Sequence, residues 1–225
     1  HLGIDPEKIS VNYPDVDEIY KKVGNADLRS LHKKYDLKPG YIYSGGGLEA
    51  RKNIERLIKA YKFLLEKNKN ENFIHEMPQL VISGKLMPEL APLVTDAEKL
   101  IKELNLTQRV KLFDFVPQED LPALYGNALV FAYPSLYEGF GFPALEAMNA
   151  GTPVITSKNS SLPEVGRDAV LYCNPEDEKD IAMVIRNVIL HKHLRDELRK
   201  RGKERAKFFS WEKFVEKMLD IINAN

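Results

Sequence analysis

Residues 127–157 read NALVFAYPSLYEGFGFPALEAMNAGTPVITS, and this stretch decides the fold. A short β-rich run, 129–133, feeds a glycine-bearing turn. Pro143 suits the first turn of a helix that runs to about residue 150, Gly151 suits its C-terminal cap, and a second β-rich run follows at 153–156. Strand, helix and strand in this order form a βαβ unit. The same alternation continues in both directions. Strands are expected at 40–44, 79–83, 109–113 and 169–172, with helices near 91–105, 118–126, 178–190, 192–208 and 211–223. Between the first two strands, NIERLIKAYKFLLEKN places Ile54, Leu57, Ile58, Tyr61, Leu64 and Leu65 on one stripe, an amphipathic crossover helix. Asp177 or Asn174 with Pro175 marks a helix start, and Ser210 is expected to cap the last helix. The expectation is an α/β fold, a doubly wound, Rossmann-like parallel sheet whose ligands sit at the carboxyl ends of the strands. Residues 39–225 are assigned to this domain. Residues 1–38, charged and without a long helical period, read as a lead-in or linker that is partly disordered.

Composition narrows the function. With 33 basic and 33 acidic residues there is no broad positive field for nucleic acid, so any anion site must be local. The single cysteine, Cys173, excludes an internal disulfide and a cysteine-built metal centre, and fits a reducing compartment. No apolar run approaches the ~20 residues that cross a bilayer. Because the chain opens with His1, it reads as a fragment or processed form.

Two loops after strands carry the chemical question. In YSGGGLEARKN, Gly45, Gly46 and Gly47 precede a helix start with Arg51 and Lys52 beside it. Glycines let a ligand approach the backbone, and a helix start offers unpaired N–H groups to an anion. The pattern is neither a P-loop nor a dinucleotide fingerprint, so a phosphate site and a tight turn with solvated basic residues both remain open. In EGFGFPALE, residues 138–146, free amides meet the positive end of a helix dipole, where a diphosphate is a natural guest. Glu138 and Glu146 also admit plain readings, as a helix-start charge and a solvated helix residue.

The segment EGFGFPALE, with GGLEARKNIERLIKA, LVISG, VKLFDFVPQEDLPALY, NALVFAYPSLYEGFGFPALEAMNAGTPVITS and SLPEV, resembles the family 4 retaining glycosyltransferases of GT-B fold over roughly residues 40–210. Their donor domain carries two glutamates separated by seven residues. The resemblance implies that this chain is one GT-B half-domain and that Glu138, with the amides of Phe140 and Gly141, holds the donor sugar. It places Glu146 on the ribose, where an ionised carboxylate, acceptor-only, suits a pair of vicinal hydroxyls. Amides around Phe142, Ala144 and Leu145 would meet the diphosphate, with Lys52 and Arg51 neutralising the leaving group. Many relatives have an arginine six residues ahead of this lysine, where this chain has Gly46; either Arg51 substitutes or the donor phosphates are held less strongly. The loop residues Gly45, Gly84 and Lys85 and the backbone of Val116, with Phe115, would border the nucleotide.

The resemblance further implies a GDP- or UDP-sugar as substrate, leaning to a GDP-mannose-like donor through RKN, with no metal and no separate cofactor. It implies an acceptor glycan or lipid-linked glycan bound through an N-terminal domain absent from this chain, a cytoplasmic protein peripheral to the inner membrane face, and a fragment inactive alone. A non-catalytic nucleotide-sugar-binding module and a GT-B epimerase or phosphorylase are the alternatives. Asp15-Val16-Asp17 matches an Asp-x-Asp metal pattern but lies in the charged lead-in, out of context for one. His191 and His193, two apart, cannot form the i, i+4 pair of a zinc helix.

Overall fold

A computed structural model describes residues 3–22, 31, 33–38, 40–67 and 77–223. Asn68, the end of the expected first helix, and residues 23–30 and 32 of the expected lead-in lie outside the described residues.

Six short strands, all parallel, form one sheet: β1 Ile42–Ser44, β2 Leu80–Ser83, β3 Val110–Phe113, β4 Val130–Tyr133, β5 Val154–Ser157 and β6 Leu171–Cys173. Their order is β3-β2-β1-β4-β5-β6. Register aligns Ile42 with Leu80 on one side and with Val130 on the other. The central strands carry apolar residues on both faces because helices cover both. The chain winds outward from β1 in one direction and from β4 in the other. The crevice between the carboxyl ends of β1 and β4 is therefore the topological switch point, where such sheets bind ligands.

The helices are α1 Ile54–Lys67, α2 Ala97–Glu103, α3 Leu121–Asn127, α4 Phe142–Asn149, α5 Leu162–Gly166, α6 Glu178–Leu190, α7 Lys192–Ala206 and α8 Trp211–Asn223. On one face, Leu57, Ile58, Tyr61 and Leu64 of α1 pack with Ile181, Ile185 and Val188 of α6. On the other, Leu145 and Met148 of α4 meet Leu124, Tyr125 and Leu162. Asp177 caps α6, its side chain accepting from the amides of Lys179 and Asp180. Ser210 caps α8 only through a long bond from the Lys213 amide, 3.4 Å. Gly151 follows α4 in the left-handed region, φ 79°, the position that favours glycine.

Three readings change. The helix expected near 91–105 is confined to Ala97–Glu103, because Pro92 cannot donate to a helical ladder and Asp96 starts the helix by accepting from the Lys99 amide. The helix at Leu162–Gly166 was not anticipated. The segment ahead of residue 39 also takes part in the core: Val16 and Tyr20 are buried in the α4-side cluster, and Asp15 is buried with its carboxylate 2.7 Å from Lys21 Nζ. Asp17 caps the short turn Glu18–Lys21 by accepting from the Ile19 amide. The two aspartates of Asp-Val-Asp are thus engaged in local structure. The Nδ1 of His191 lies 2.8 Å from the Asn187 carbonyl, at the end of α6.

Candidate active site

The switch-point crevice is built from the two loops the sequence singles out. After β1 the chain runs through Gly45, Gly46 and Gly47; after β4 it turns through residues 134–141 into α4. Gly46 lies against the helix start, since a Cβ there would come 2.8 Å from Pro143 Cγ, and its φ of +97° independently requires glycine. Gly45 sits over a buried floor in which the Tyr43 hydroxyl is 2.7 Å from Ser83 Oγ. Gly84 abuts Gly47, so the loop after β2 closes on the loop after β1. The cleft beside these contacts has a volume of ≈ 660 Å³ and is lined by Gly46, Arg51, Lys52, Tyr137 and the run Glu138–Pro143. That is within the usual range for a small-molecule site, roughly 300–1,000 Å³.

Its electrostatic centre is Glu138, only 6% exposed. Oε1 accepts from Ser135 Oγ at 2.6 Å, Tyr133 Oη at 2.6 Å and Lys52 Nζ at 3.0 Å; Oε2 accepts from Arg51 Nη1 at 2.8 Å and Lys52 at 3.1 Å. Burial pushes this carboxyl up, but the Ser135, Tyr133 and Lys52 hydrogen bonds together hold it below its ordinary value. Glu138 is therefore a carboxylate, and its lone pairs are largely committed to protein donors. Lys52 is itself buried and also donates to the Tyr133 hydroxyl. Arg51 bridges Glu138 and Glu49 from the open side.

The turn after β4 is braced from β5. Ser161 Oγ donates to the carbonyls of Glu138 and Phe140, at 2.9 and 2.8 Å, and Ser160 Oγ accepts from the Glu138 amide. With the carbonyls so occupied, the amides of Gly139, Phe140, Gly141 and Phe142 have no acceptor among the described residues. Gly141, φ +105°, caps α4. Ala144 and Leu145 depart from expectation: both amides donate to the Gly141 carbonyl, at 3.1 and 3.3 Å, because they close the first helical turn. Pro143 has no N–H, so the open donors at this helix start are Gly141 and Phe142.

Glu146 lies one turn further along α4, half-buried, with Oε2 accepting from the Tyr125 hydroxyl at 2.8 Å and the Tyr20 hydroxyl close by. Burial raises its carboxyl above the ordinary value, and the two hydroxyls oppose that rise. Lys85 is exposed, Phe115 is 77% exposed, and Val116 packs on the α4-side cluster; none of the three lines the cleft. Sequence reasoning missed Tyr133, Ser135, Tyr125 and Tyr20. Tyr133 and Ser135 share the period-two spacing of an extended strand end, a signal that would have put both beside Glu138. For Tyr20 the sequence offers no such signal, because only tertiary packing brings it to α4.

Residues 29–205 match the family model of glycosyl transferases group 1. The chain is 39% identical over 188 residues to O-antigen chain mannosyltransferase B of Escherichia coli, covering 83% of this chain and 47% of that protein. Sucrose-phosphate synthase of Thermosynechococcus elongatus superposes with a TM-score of 0.77 at 27% identity, over 94% of this chain and 51% of that one. The Anabaena protein HepE, solved with UDP and glucose, superposes at 0.82 with 19% identity, over 99% of this chain and 59% of that one, a likeness of fold. The chain spans about half the length of O-antigen chain mannosyltransferase B, and less of some other relatives. A matched family model, an α/β sheet with its switch point open and a solved-structure likeness across nearly the whole chain agree: this chain belongs to the group 1 glycosyl transferases.

Proposed function

We propose that this domain holds a nucleotide-diphosphate sugar for retaining transfer to an acceptor, in the synthesis of a polysaccharide, lipopolysaccharide or glycolipid. One observation carries the reading. Four consecutive amides without acceptors among the described residues, Gly139–Phe142, line the same cleft as Lys52 and Arg51 at the switch point. As the bond from the anomeric carbon to the diphosphate breaks, negative charge grows on the leaving phosphate. Donors fixed beforehand stabilise that charge without having to reorganise. In this assignment the diphosphate lies on the Gly141 and Phe142 amides with Lys52 and Arg51 opposite, the sugar lies by Glu138 and Phe140, and the ribose hydroxyls reach Glu146. Gly45, Gly84, Lys85 and Val116 remain assigned to the nucleotide rim.

The donor we favour is GDP-mannose, supported by the mannosyltransferase named among the relatives. UDP-sugars are the competitor, since UDP and glucose are named with the Anabaena structure. The acceptor glycan or lipid-linked glycan is assigned to the part of the longer relatives that this chain does not span. The exposed apolar side chains of α8, Trp211, Val215, Met218, Leu219 and Ile222, are consistent with a covering partner domain. Among the described residues no helix is long and apolar enough to cross a membrane; we place the reaction on the cytoplasmic side, with any membrane contact peripheral.

Titration calorimetry with GDP-mannose, UDP-glucose and the free nucleotides tests the assignment. Lys52→Ala is expected to weaken the diphosphate-bearing ligands at least tenfold while leaving guanosine or uridine nearly unchanged. Equal binding by wild type and Lys52→Ala would remove the phosphate role.

A further inference from the structure

Glu146 does not stand alone on α4. Beneath it lies a group of three buried tyrosines from three separate elements: Tyr20 from the turn Glu18–Lys21, Tyr43 from β1 and Tyr125 from α3, exposed by 4%, 0% and 2%. Their rings meet edge to face, with centroids 5.9 Å apart for Tyr20 and Tyr125 and 5.1 Å for Tyr43 and Tyr125. The hydroxyls divide the work. Tyr43 Oη is engaged with Ser83, whereas Tyr125 Oη donates to Glu146 Oε2 at 2.8 Å, and the Tyr20 hydroxyl stands beside the same carboxylate. A phenylalanine in place of either would fill the same apolar volume; what the hydroxyls add is a polar contact to one carboxylate.

We propose that Tyr125, with Tyr20 packed edge to face against it, is the support that holds the Glu146 carboxylate aimed at the ribose 2′- and 3′-hydroxyls, both tyrosines acting as positioning residues, so that the turn Glu18–Lys21 is part of the nucleotide site. The proposal rests on the assignment of Glu146 to the ribose. A carboxylate that must accept two hydroxyls needs its rotamer fixed and its charge retained, and hydrogen bonds from behind supply both. Oε2 takes the tyrosine contact described above, and the acceptor capacity that remains faces a diol. Around the carboxylate stand Tyr20 from the N-terminal turn, Tyr125 from α3, Tyr43 from β1 and, at longer range, Lys52 from the loop after β1. Lys52 and the Tyr125 and Tyr20 hydroxyls favour the ionised form, and burial opposes it. Removing a hydroxyl leaves burial less opposed, so the carboxyl takes up its proton at a higher pH. Only the ionised form accepts from both ribose hydroxyls.

The test uses the full chain and four variants, Tyr20→Phe, Tyr125→Phe, Glu146→Gln and Tyr41→Phe. Tyr41 is a buried tyrosine whose hydroxyl donates to the Leu124 carbonyl, so it controls for a general loss of packing. Each is titrated with GDP and 2′-deoxy-GDP, or with UDP and 2′-deoxy-UDP if wild type binds those more tightly, from pH 5 to 8. Wild type should prefer the ribonucleotide. Glu146→Gln should abolish most of that preference, Tyr20→Phe and Tyr125→Phe should each reduce it about three- to tenfold and move the acid limb of ribonucleotide binding to higher pH, and Tyr41→Phe should leave the ratio unchanged. If Glu146→Gln retains the preference, the ribose assignment fails and the inference falls with it. If Glu146→Gln loses the preference while both tyrosine variants keep ratio and pH profile, the assignment stands and the positioning role is overturned. A parallel fall in both nucleotides, with the ratio intact, would reduce the tyrosines to packing and equally overturn it.

Discussion

Glu138 and Glu146 are both glutamates of one motif, yet their surroundings push them in opposite directions. Glu138 is held ionised below the ordinary value of 4.5 by Ser135, Tyr133 and Lys52, so its contribution to stability is complete above that value and is lost as pH falls through the depressed one. Glu146 is raised by burial, so its ionised form is a cost to the fold, absent at low pH and growing as pH rises through the raised value. Two predictions follow from that sign difference. Glu138→Gln leaves the buried Lys52 ammonium without its counter-charge; on the order of 3 kcal/mol of stability should be lost in urea unfolding at pH 7, and the acid limb of the stability curve should flatten. An unchanged urea midpoint would show the pair to be dispensable. Glu146→Gln should leave the thermal midpoint unchanged or slightly higher at pH 7, and a clear drop would contradict the sign argued here. That both residues sit in one site was legible from EGFGFPALE. That Glu138 is largely committed to protein donors was not read from it, although the period-two spacing of Tyr133 and Ser135 carries the signal for two of them.

At the scale of elements, the six strands were legible because buried parallel strands read as short, dense apolar runs, and each falls within about two residues of its expected place. Helix limits were less so: around residues 88–96 the prolines and the Asp96 cap, not the apolar period, decide where α2 begins. The α4 start shows what a local backbone requirement means for function. Gly141 needs its positive φ, and a Cβ there would come 2.9 Å from Leu162 Cδ2; Gly139 has open space around it and no such requirement. Gly141→Ala should therefore cost about 1–2 kcal/mol of stability and misalign the amide run, lowering nucleotide affinity as well. Gly139→Ala should change stability by no more than about 0.5 kcal/mol. Unfolding midpoints of the two variants, measured side by side, decide this; equal effects would mean that the turn is not pinned as described.

For the whole molecule, the doubly wound order was expected from strand and helix alternation, and the structure supplies the part that alternation leaves open, the placing of β1 beside β4 and hence of the two loops face to face. The segment read as a lead-in takes a larger part than its composition implied. Glu7, Lys8, Asp17 and Glu18 are exposed and Asp15 is buried against Lys21, while Val16 and Tyr20 enter the core, a pairing that depends on α3 and α4 far along the chain. With the acceptor assigned to the part of the longer relatives that this chain does not span, the chain alone is proposed to bind donor but show no sugar transfer to a glycan acceptor; robust turnover of radiolabelled GDP-mannose would contradict that. Besides the proposed diphosphate site, the molecule offers a second place to compare. A groove of ≈ 570 Å³ between α1 and α2, lined by Arg56, Lys59 and Lys99, lies apart from the switch-point cleft of ≈ 660 Å³. The most direct measurement is an amide-resolved NMR titration of the chain with GDP-mannose. The largest shifts should fall on Gly141 and Phe142, with Gly139, Phe140 and Gly46 close behind. Shifts confined to Arg56, Lys59 and Lys99, with the Gly139–Phe142 amides unmoved, would contradict it.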